Sequence, residues 1–468
     1  MNGAAEIRVT SRECVPEAAP PIVVDLDGTV VKTDLLFESL LVLLKQAPWL
    51  VFRIPLWLLK GMAHFKHEIA KRVSLETDVL PYRYDLLDSL RTKRAQGRTI
   101  VLATGTDRAI AQKVADQLKL FDLVLASDGQ VNLSGESKRD LLVRKFGERG
   151  FDYVGNDRCD LPVWASARQA IAVGTERSRL SDRLKALRLH HWTKNLLVFV
   201  PLLAAHRMDD WALLGRLLLA FLSFGCLASA AYLVNDLLDL PSDRRHPSKR
   251  FRPFAAGDLP LTYALWTIPA LFGLGCLTAG SVSGLFLGAA LTYFALNIAY
   301  SLFVRGVVVL DVIFLAGLYT MRILAGSAAV SIWPSHWLLA FSTFLFFSLA
   351  LVKRYGELAI MKRLDGDQAR ARGYELTDGE LLSAMGVASG YLAVLVLALY
   401  INSEKAPVLY SRYQLMWFLC PLLLYWISRI WLIAHRGRMP DDPVDFTLRD
   451  RPSWVVGALM LAISLLAL

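Results

Sequence analysis

Cysteine is scarce in this 468-residue chain. The five present (Cys14, Cys159, Cys226, Cys276 and Cys420) are scattered without metal-ligand spacing, which argues against a disulfide framework or a thiolate metal site. Charge is thin as well: Asp, Glu, Lys and Arg make up 20% of the residues against 54% hydrophobic, and the mean hydropathy is +0.40. That is too apolar for an ordinary soluble protein and too charged for a purely membrane one, so a mixed architecture is expected. The opening MNGAAEIRVTSRECVPEAAP has no apolar core and reads as a disordered lead-in over 1–20, not a secretory signal. The formal net charge of +10 is explained by the cytoplasmic loops of a membrane protein, and nucleic acid is not expected as a partner.

What the chain does have is long apolar runs, beginning after Trp192. Windows long enough to cross a bilayer fall near 193–207, 211–235, 261–280, 283–304, 307–330, 337–354, 381–401, 413–434 and 452–468, nine candidate spans. Alternate connections (236–260, 305–306, 353–379 and 435–451) hold sixteen Lys and Arg, whereas the opposite loops hold three. This bias places the basic loops and the N-terminal region in the cytoplasm, in a cell or inner membrane.

The second span empties into NDLLDLPSDRRHPSKRFRPFAAG, residues 235–257. Asp236, Asp239 and Asp243 recur at helical spacing on one face, with Pro241 expected to end the helix near Leu240. Carboxylates so close repel unless a cation sits among them, and hard oxygen ligands favour Mg²⁺ completed by water and phosphate oxygens. The neighbouring Arg244, Arg245, Lys249, Arg250 and Arg252 suit a phosphorylated ligand. A second site of the same design follows, where Arg305 lies in a tight turn and Asp311 lies inside the next span. Asp311 reads either as a ligand-binding carboxylate or as an interhelical hydrogen-bond partner. Lys194, beside Trp192, can hold a phosphate or snorkel to the interface, and Arg322, Lys353 and Arg354 are further cationic candidates.

NDLLDLPSD followed by RP and AG resembles the first aspartate signature of the UbiA superfamily, intramembrane transferases that bind polyprenyl chains and Mg–diphosphate; the resemblance covers roughly 185–468. HHWTKNLLVFVPLL, HPSKRFRPFAAG, FFSLALVKRYGEL and DDPVDFTLRDR are similar to its decaprenyl-phosphate phosphoribosyltransferase branch. The second DxxxD pair of the aromatic branch is absent, because Leu315 stands four residues after Asp311. The resemblance implies phosphoribosyl diphosphate as donor and polyprenyl phosphate as acceptor. It carries the metal and diphosphate role onto Asn235, Asp236, Asp239 and Asp243, and more weakly onto Asp311.

The first 180 residues are of another kind. Ile22–Leu26, a run ending at Thr104, a run ending at Asn156, and the stretches LFDLVLAS and RQAIAVG read as short buried strands alternating with helices, a parallel α/β sheet with ligands at its carboxyl edge. Asp25-Leu26-Asp27-Gly28-Thr29 resembles the signature of the haloacid-dehalogenase (HAD) phosphatase superfamily over 21–175. The resemblance implies Asp25 as nucleophile, Asp27 as general acid and base, Thr104 and Lys138 on the phosphoryl oxygens, and Asp25, Asp27 and Asp160 around Mg²⁺. Asn156 departs from the family's usual Asp, and Asp157 can compensate. Residues 35–62 fall where such enzymes insert a cap and are unusually apolar. They are expected to form an amphipathic cap on the membrane surface or a helix pair packed on the core.

The expected organisation is multi-domain. A disordered 1–20 precedes a HAD-like (Rossmannoid) α/β domain over 21–180, capped by 33–95, and an all-α polytopic UbiA-like domain over 185–468. The favoured function joins phosphoribosyl transfer to polyprenyl phosphate with dephosphorylation of the product. The alternatives are prenyl transfer to an aromatic or other small acceptor beside a separate phosphatase, and a transporter or lipid-binding protein with a sensor domain. Prenyl chain length is not legible, and a homo-oligomer stays open.

Overall fold

The computed structural model describes residues 19–174, 178–365, 370–371, 373–440 and 442–468; the lead-in expected over 1–20 lies outside them except for its last two residues. By contacts the chain divides into two compact units, Met1–Arg183 with Asp236–Leu261, and Leu184–Asn235 with Thr262–Leu468.

The first unit runs β1 (Ile22–Val24), α1 (Leu35–Gln46), α2 (Ile54–Leu59), α3 (Met62–Ala70), α4 (Tyr84–Ala95), β2 (Ile100–Asp107), α5 (Arg108–Leu118), β3 (Leu123–Ser127), α6 (Glu136–Phe146), β4 (Asp152–Gly155), α7 (Leu161–Ser166) and β5 (Gln169–Ala172). All five strands are parallel, in the order β3-β2-β1-β4-β5. A parallel sheet covered by helices buries both faces of its central strands, which is why IVV and IVLA carry no polar alternation. Ile22 and Val24 pack on one face with Leu102 and Val114, while Val23 packs on the other with Val101, Phe151 and Tyr153. The order reverses at β1, so the crevice beyond the carboxyl ends of β1 and β4 is where a ligand fits.

Strand boundaries differ from the expectation, and β4 ends at Gly155, one residue before Asn156. β1 stops at Val24 because the chain turns at Gly28 (φ +70°) and the N–H groups of Val30 and Val31 donate to the Leu26 carbonyl. β2 continues three residues past Thr104, and its register with β3 is irregular between Thr104 and Asp107.

The apolar insertion is amphipathic. Asp34 caps α1 by accepting the Leu36 N–H at 2.8 Å, and Leu35, Glu38, Ser39 and Leu43 face inward. Trp57 joins Leu43, Phe65, Ile69 and Val73 in a small core of its own. Trp49, Phe52, Leu56 and Leu59 face outward, with Phe52 82% and Leu59 84% exposed.

The remaining helices are α8 (Leu180–Ala186), α9 (Val200–Ala204), α10 (Trp211–Leu238), α11 (Leu240–Arg245), α12 (Leu261–Val282), α13 (Gly284–Ala299), α14 (Leu310–Val330), α15 (His336–Asp365), α16 (Gly379–Ile401), α17 (Ala406–Leu409), α18 (Leu419–His435), α19 (Pro443–Thr447) and α20 (Arg451–Ala467). Among the described residues seven helices are long and apolar enough to cross a membrane, against the nine expected. The expected first span, 193–207, divides into a 3₁₀ segment (Leu189–Phe199) and α9, with Pro201 in the first turn of α9. The last is α20, a 17-residue apolar helix.

Gly326 on α14 lies against the backbone of Val198, so close that a Cβ there would overlap the Val198 carbonyl. Small residues allow such backbone approach between membrane helices. Gly326→Leu is therefore expected to abolish the monodisperse peak in detergent size-exclusion chromatography. Gly317→Leu, where nothing lies within 4 Å of a Cβ, should leave the peak unchanged.

Candidate functional site

At the carboxyl edge of the sheet the candidates meet. Lys138, on α6, donates to Asp25 Oδ1 at 2.9 Å, to the Tyr153 hydroxyl at 2.9 Å and to Asp160 Oδ1 at 3.4 Å. Asp27 receives the Leu35 N–H at 2.8 Å, the Thr104 hydroxyl at 3.4 Å and the Thr106 hydroxyl. Asn156 accepts from the Thr29 hydroxyl at 3.0 Å, and the Asp160 carboxylate takes the N–H groups of Asn156 and Asp157 at 3.1 and 3.2 Å. Asp157 itself caps the turn leading to Asp160. Burial pushes Asp25 up to about 6 against the pull of Lys138, with Asp160 and Asp27 adding to the rise. Burial pushes Asp27 up to about 6 as well, helped by Asp34. Carboxylates short of positive charge fit a divalent cation held by Asp25, Asp27 and Asp160. Lys66 and Thr106 were not singled out from sequence. Lys66 donates to the Gly105 carbonyl at 2.6 Å and to Asn132 at 2.9 Å, and no local motif announces it.

The aspartate loop, Asp236–Leu261, belongs to the same unit. α10 ends at Leu238 and α11 restarts at Leu240 with Pro241 in its first turn, as Pro geometry permits. Asp236, Asp239 and Asp243 are all buried. Arg252 Nη1 lies 2.6 Å from Asp243 Oδ2 and 3.3 Å from Asp236 Oδ1, so a cation sits where two carboxylates converge. An all-oxygen donor set with counter-charge from Arg252, and from Lys45 at 4.0 Å from Asp239, fits Mg²⁺ with phosphate oxygens as further ligands. Arg244 is committed elsewhere: its fork pairs with Glu38 and its Nε with the Ala255 carbonyl. Arg245 reaches Glu76 and Asp78 at the surface, and Arg250 stacks on Phe251. Lys249 lies in the 3₁₀ turn Lys249–Phe251.

The second unit holds a group of cations, Lys194 and Arg322 buried and Lys353 half-buried. Lys194, 7% exposed, pairs with Asp442, and Lys353 lies 3.7 Å from the same carboxylate. Arg322 is buried and donates to Asn195 at 3.0 Å, the Leu318 carbonyl at 2.7 Å and the Tyr293 hydroxyl at 2.7 Å. Asn195 Nδ2 is buried with no hydrogen-bond partner among the described residues. Buried donors left unmatched and an excess of positive charge fit an anion. A snorkelling Lys194 is thereby replaced by a buried, paired one. Asn235 accepts from Arg305 at 3.3 Å.

Asp311 is paired within the membrane half. It is fully buried, with Arg354 Nε on one oxygen and the Tyr374 hydroxyl on the other at 2.7 Å, and Arg354 continues to Tyr300 and Glu357. This is the interhelical partner of the two readings, and Arg354 is its counter-charge. Asp442 went unassigned in the sequence. Its signal was the Asp-Pro step at Pro443, because Asp442 caps α19 through the Val444 N–H at 3.0 Å.

The sequence matches the UbiA prenyltransferase family over residues 196–449, more than half of the chain. The chain belongs to that family. The uncharacterized protein y4nM of Sinorhizobium fredii is 35% identical over 487 residues, covering 99% of this chain and 94% of that protein. Nodulation protein NoeC of Azorhizobium caulinodans is 40% identical over 289 residues, 61% of this chain and 92% of its own. The decaprenyl-phosphate phosphoribosyltransferase of Mycobacterium tuberculosis is 30% identical over 274 residues, 57% and 88% respectively. A solved UbiA homolog from Archaeoglobus fulgidus bound to DMAPP and Mg²⁺ overlays with a TM-score of 0.45 at 18% identity, over 61% of this chain and 98% of that one. Family membership and the seven apolar helices make this an integral membrane protein and a transferase.

Asp25 gives a stability prediction. A carboxyl raised from 3.8 to about 6 in the fold carries no penalty below the unfolded value and the full penalty above about 6. Asp25→Asn removes the ionised group, so its melting temperature should exceed that of wild type at pH 8 without Mg²⁺. The gap should close as the pH is lowered through that window in differential scanning fluorimetry.

Proposed function

We propose that the chain transfers 5-phosphoribose from phosphoribosyl diphosphate to polyprenyl phosphate, and that its N-terminal domain is a HAD-type phosphatase that then removes the ribose 5-phosphate. The observation that carries this reading is the buried trio Asp236, Asp239 and Asp243, of which Asp236 and Asp243 converge on Arg252 while Asp239 lies 4.0 Å from Lys45. It is supported by the orphaned donor and surplus cations around Lys194 and by relatives that include decaprenyl-phosphate phosphoribosyltransferases.

In the transfer step the bond from ribose C1 to the diphosphate oxygen breaks, and a lipid phosphate oxygen bonds C1 from the opposite face. Asp236, Asp239 and Asp243 would hold Mg²⁺, which would supply charge to offset the departing diphosphate. Arg252, with Lys249 and Arg250, holds the diphosphate; Asn235 orients it. Lys194, Arg322 and Lys353 hold a phosphate of the substrates within the membrane half, and Asp442 keeps Lys194 in place.

In the second step Asp25 attacks phosphorus while Asp27, its carboxyl pushed up to about 6 by burial, protonates the departing 5-oxygen. Asp27 then takes a proton from the water that cleaves the aspartyl-phosphate, releasing phosphate. Thr104 and Lys138 hold the phosphoryl oxygens, and Asp160 serves the Mg²⁺ with Asp25 and Asp27. The N-terminal domain and the aspartate loop lie in the cytoplasm, with the outward Trp49, Phe52, Leu56 and Leu59 dipping into the lipid interface.

Labelled phosphoribosyl diphosphate and polyprenyl phosphate, given to the purified protein and to Asp25→Asn, test the scheme. Labelled lipid should keep its 5-phosphate only in the variant. Absence of labelled lipid from both samples would overturn the donor assignment and favour prenyl transfer to a small acceptor. The interfacial cap has its own test. The pair Phe52→Glu and Leu59→Glu should slow dephosphorylation of the lipid substrate by about tenfold while leaving a water-soluble phosphate ester unaffected.

A further inference from the structure

The first helix of the N-terminal domain grips the aspartate loop at two points. Glu38 on α1 accepts both prongs of Arg244, at 2.9 and 2.7 Å, and both side chains are 5% exposed. The Thr33 hydroxyl closes on the same carboxylate, and Arg244 Nε donates to Ala255 within the loop at 3.1 Å. Seven residues further along the same face of α1, Lys45 donates to the Leu238 carbonyl at 3.1 Å and lies 4.0 Å from Asp239. That carbonyl is at the C-terminal end of α10, where a cation is favoured. The contacts therefore fall on residues adjoining Asp239 and Asp243. At its other end α1 starts on the phosphatase candidates: the Leu35 N–H is held by Asp27 at 2.8 Å.

We infer that α1 is a strut that holds the aspartate loop in its diphosphate-binding form, with Glu38 and Lys45 as positioning residues for transfer. The inference rests on the function proposed above. Arg244 thereby serves geometry and not phosphate. A two-pronged, desolvated pair fixes orientation in a way a surface pair does not. Because Arg244 follows Asp243, a shift of its guanidinium displaces the carboxylate that Arg252 shares with Asp236.

Full-length protein in detergent or nanodiscs tests this with Glu38→Gln, Lys45→Met, the charge exchange Glu38→Arg with Arg244→Glu, and the control Glu68→Gln at an exposed helix pair. Glu38→Gln should raise the KM for phosphoribosyl diphosphate about tenfold and leave the KM for polyprenyl phosphate within twofold. Lys45→Met should raise the former about threefold without leaving a buried carboxylate unpaired, so it remains readable if Glu38→Gln folds poorly. The charge exchange should recover most of the loss, and Glu68→Gln should match wild type. Unchanged kinetics in both Glu38→Gln and Lys45→Met, or a fall in kcat alone without recovery on charge exchange, would overturn the strut. If wild type transfers no phosphoribose, the functional reading fails by itself. The strut is then read from hydrogen exchange of amides 236–257, which should quicken at least tenfold in Glu38→Gln; equal exchange would refute it.

Discussion

Three carboxylates within eight residues, all withdrawn from water, repel one another unless positive charge lies among them. Asp236, Asp239 and Asp243 impose that condition on everything around them. The chain meets it with Arg252 inside the loop, with Lys45 from α1 beside Asp239, and with a helix break at Pro241 that folds Asp243 back toward Asp236. A hard divalent cation with a phosphorylated ligand completes the same balance, and the proposed transfer chemistry follows from it.

The second unit shows the opposite imbalance. Lys194, Lys353 and Arg322 are set among aromatic and amide groups, with Asp442 as the carboxylate shared by the two lysines. Burying such cations is costly, and their persistence beside an unmatched Asn195 amide points to an anion. Asp311 is a useful contrast. Its charge is answered by Arg354 and Tyr374, which braces α14 against α15. Buried charge in this unit therefore serves two different ends, separated by how completely its partners neutralise it.

Much of this was legible in the sequence. The buried strand runs, the turn at Gly28 and the break at Pro241 are local signals that act within a few residues, and the parallel sheet followed from strands alternating with helices. The aspartate trio was legible from its spacing at 236, 239 and 243, although the helix is interrupted at Asp239 between the first and last of them. What escaped was long-range. Glu38 with Arg244, Lys194 with Asp442 and Asp311 with Arg354 are separated by 206, 248 and 43 residues, and nothing in either partner's neighbourhood names the other. The segment 193–207 reads as one apolar run, whereas its course is a 3₁₀ segment followed by a short helix that Pro201 opens. The loop's grouping with the N-terminal domain was likewise hidden, because sequence order sets it among membrane helices.

Titration calorimetry of phosphoribosyl diphosphate into the purified chain is the most direct probe of the acidic trio. The account expects binding that needs Mg²⁺ and that vanishes when Asp236, Asp239 and Asp243 are all changed to Asn in a protein that still elutes as a single peak. Equal heats and affinity for wild type and the triple variant, or binding indifferent to Mg²⁺, would contradict it.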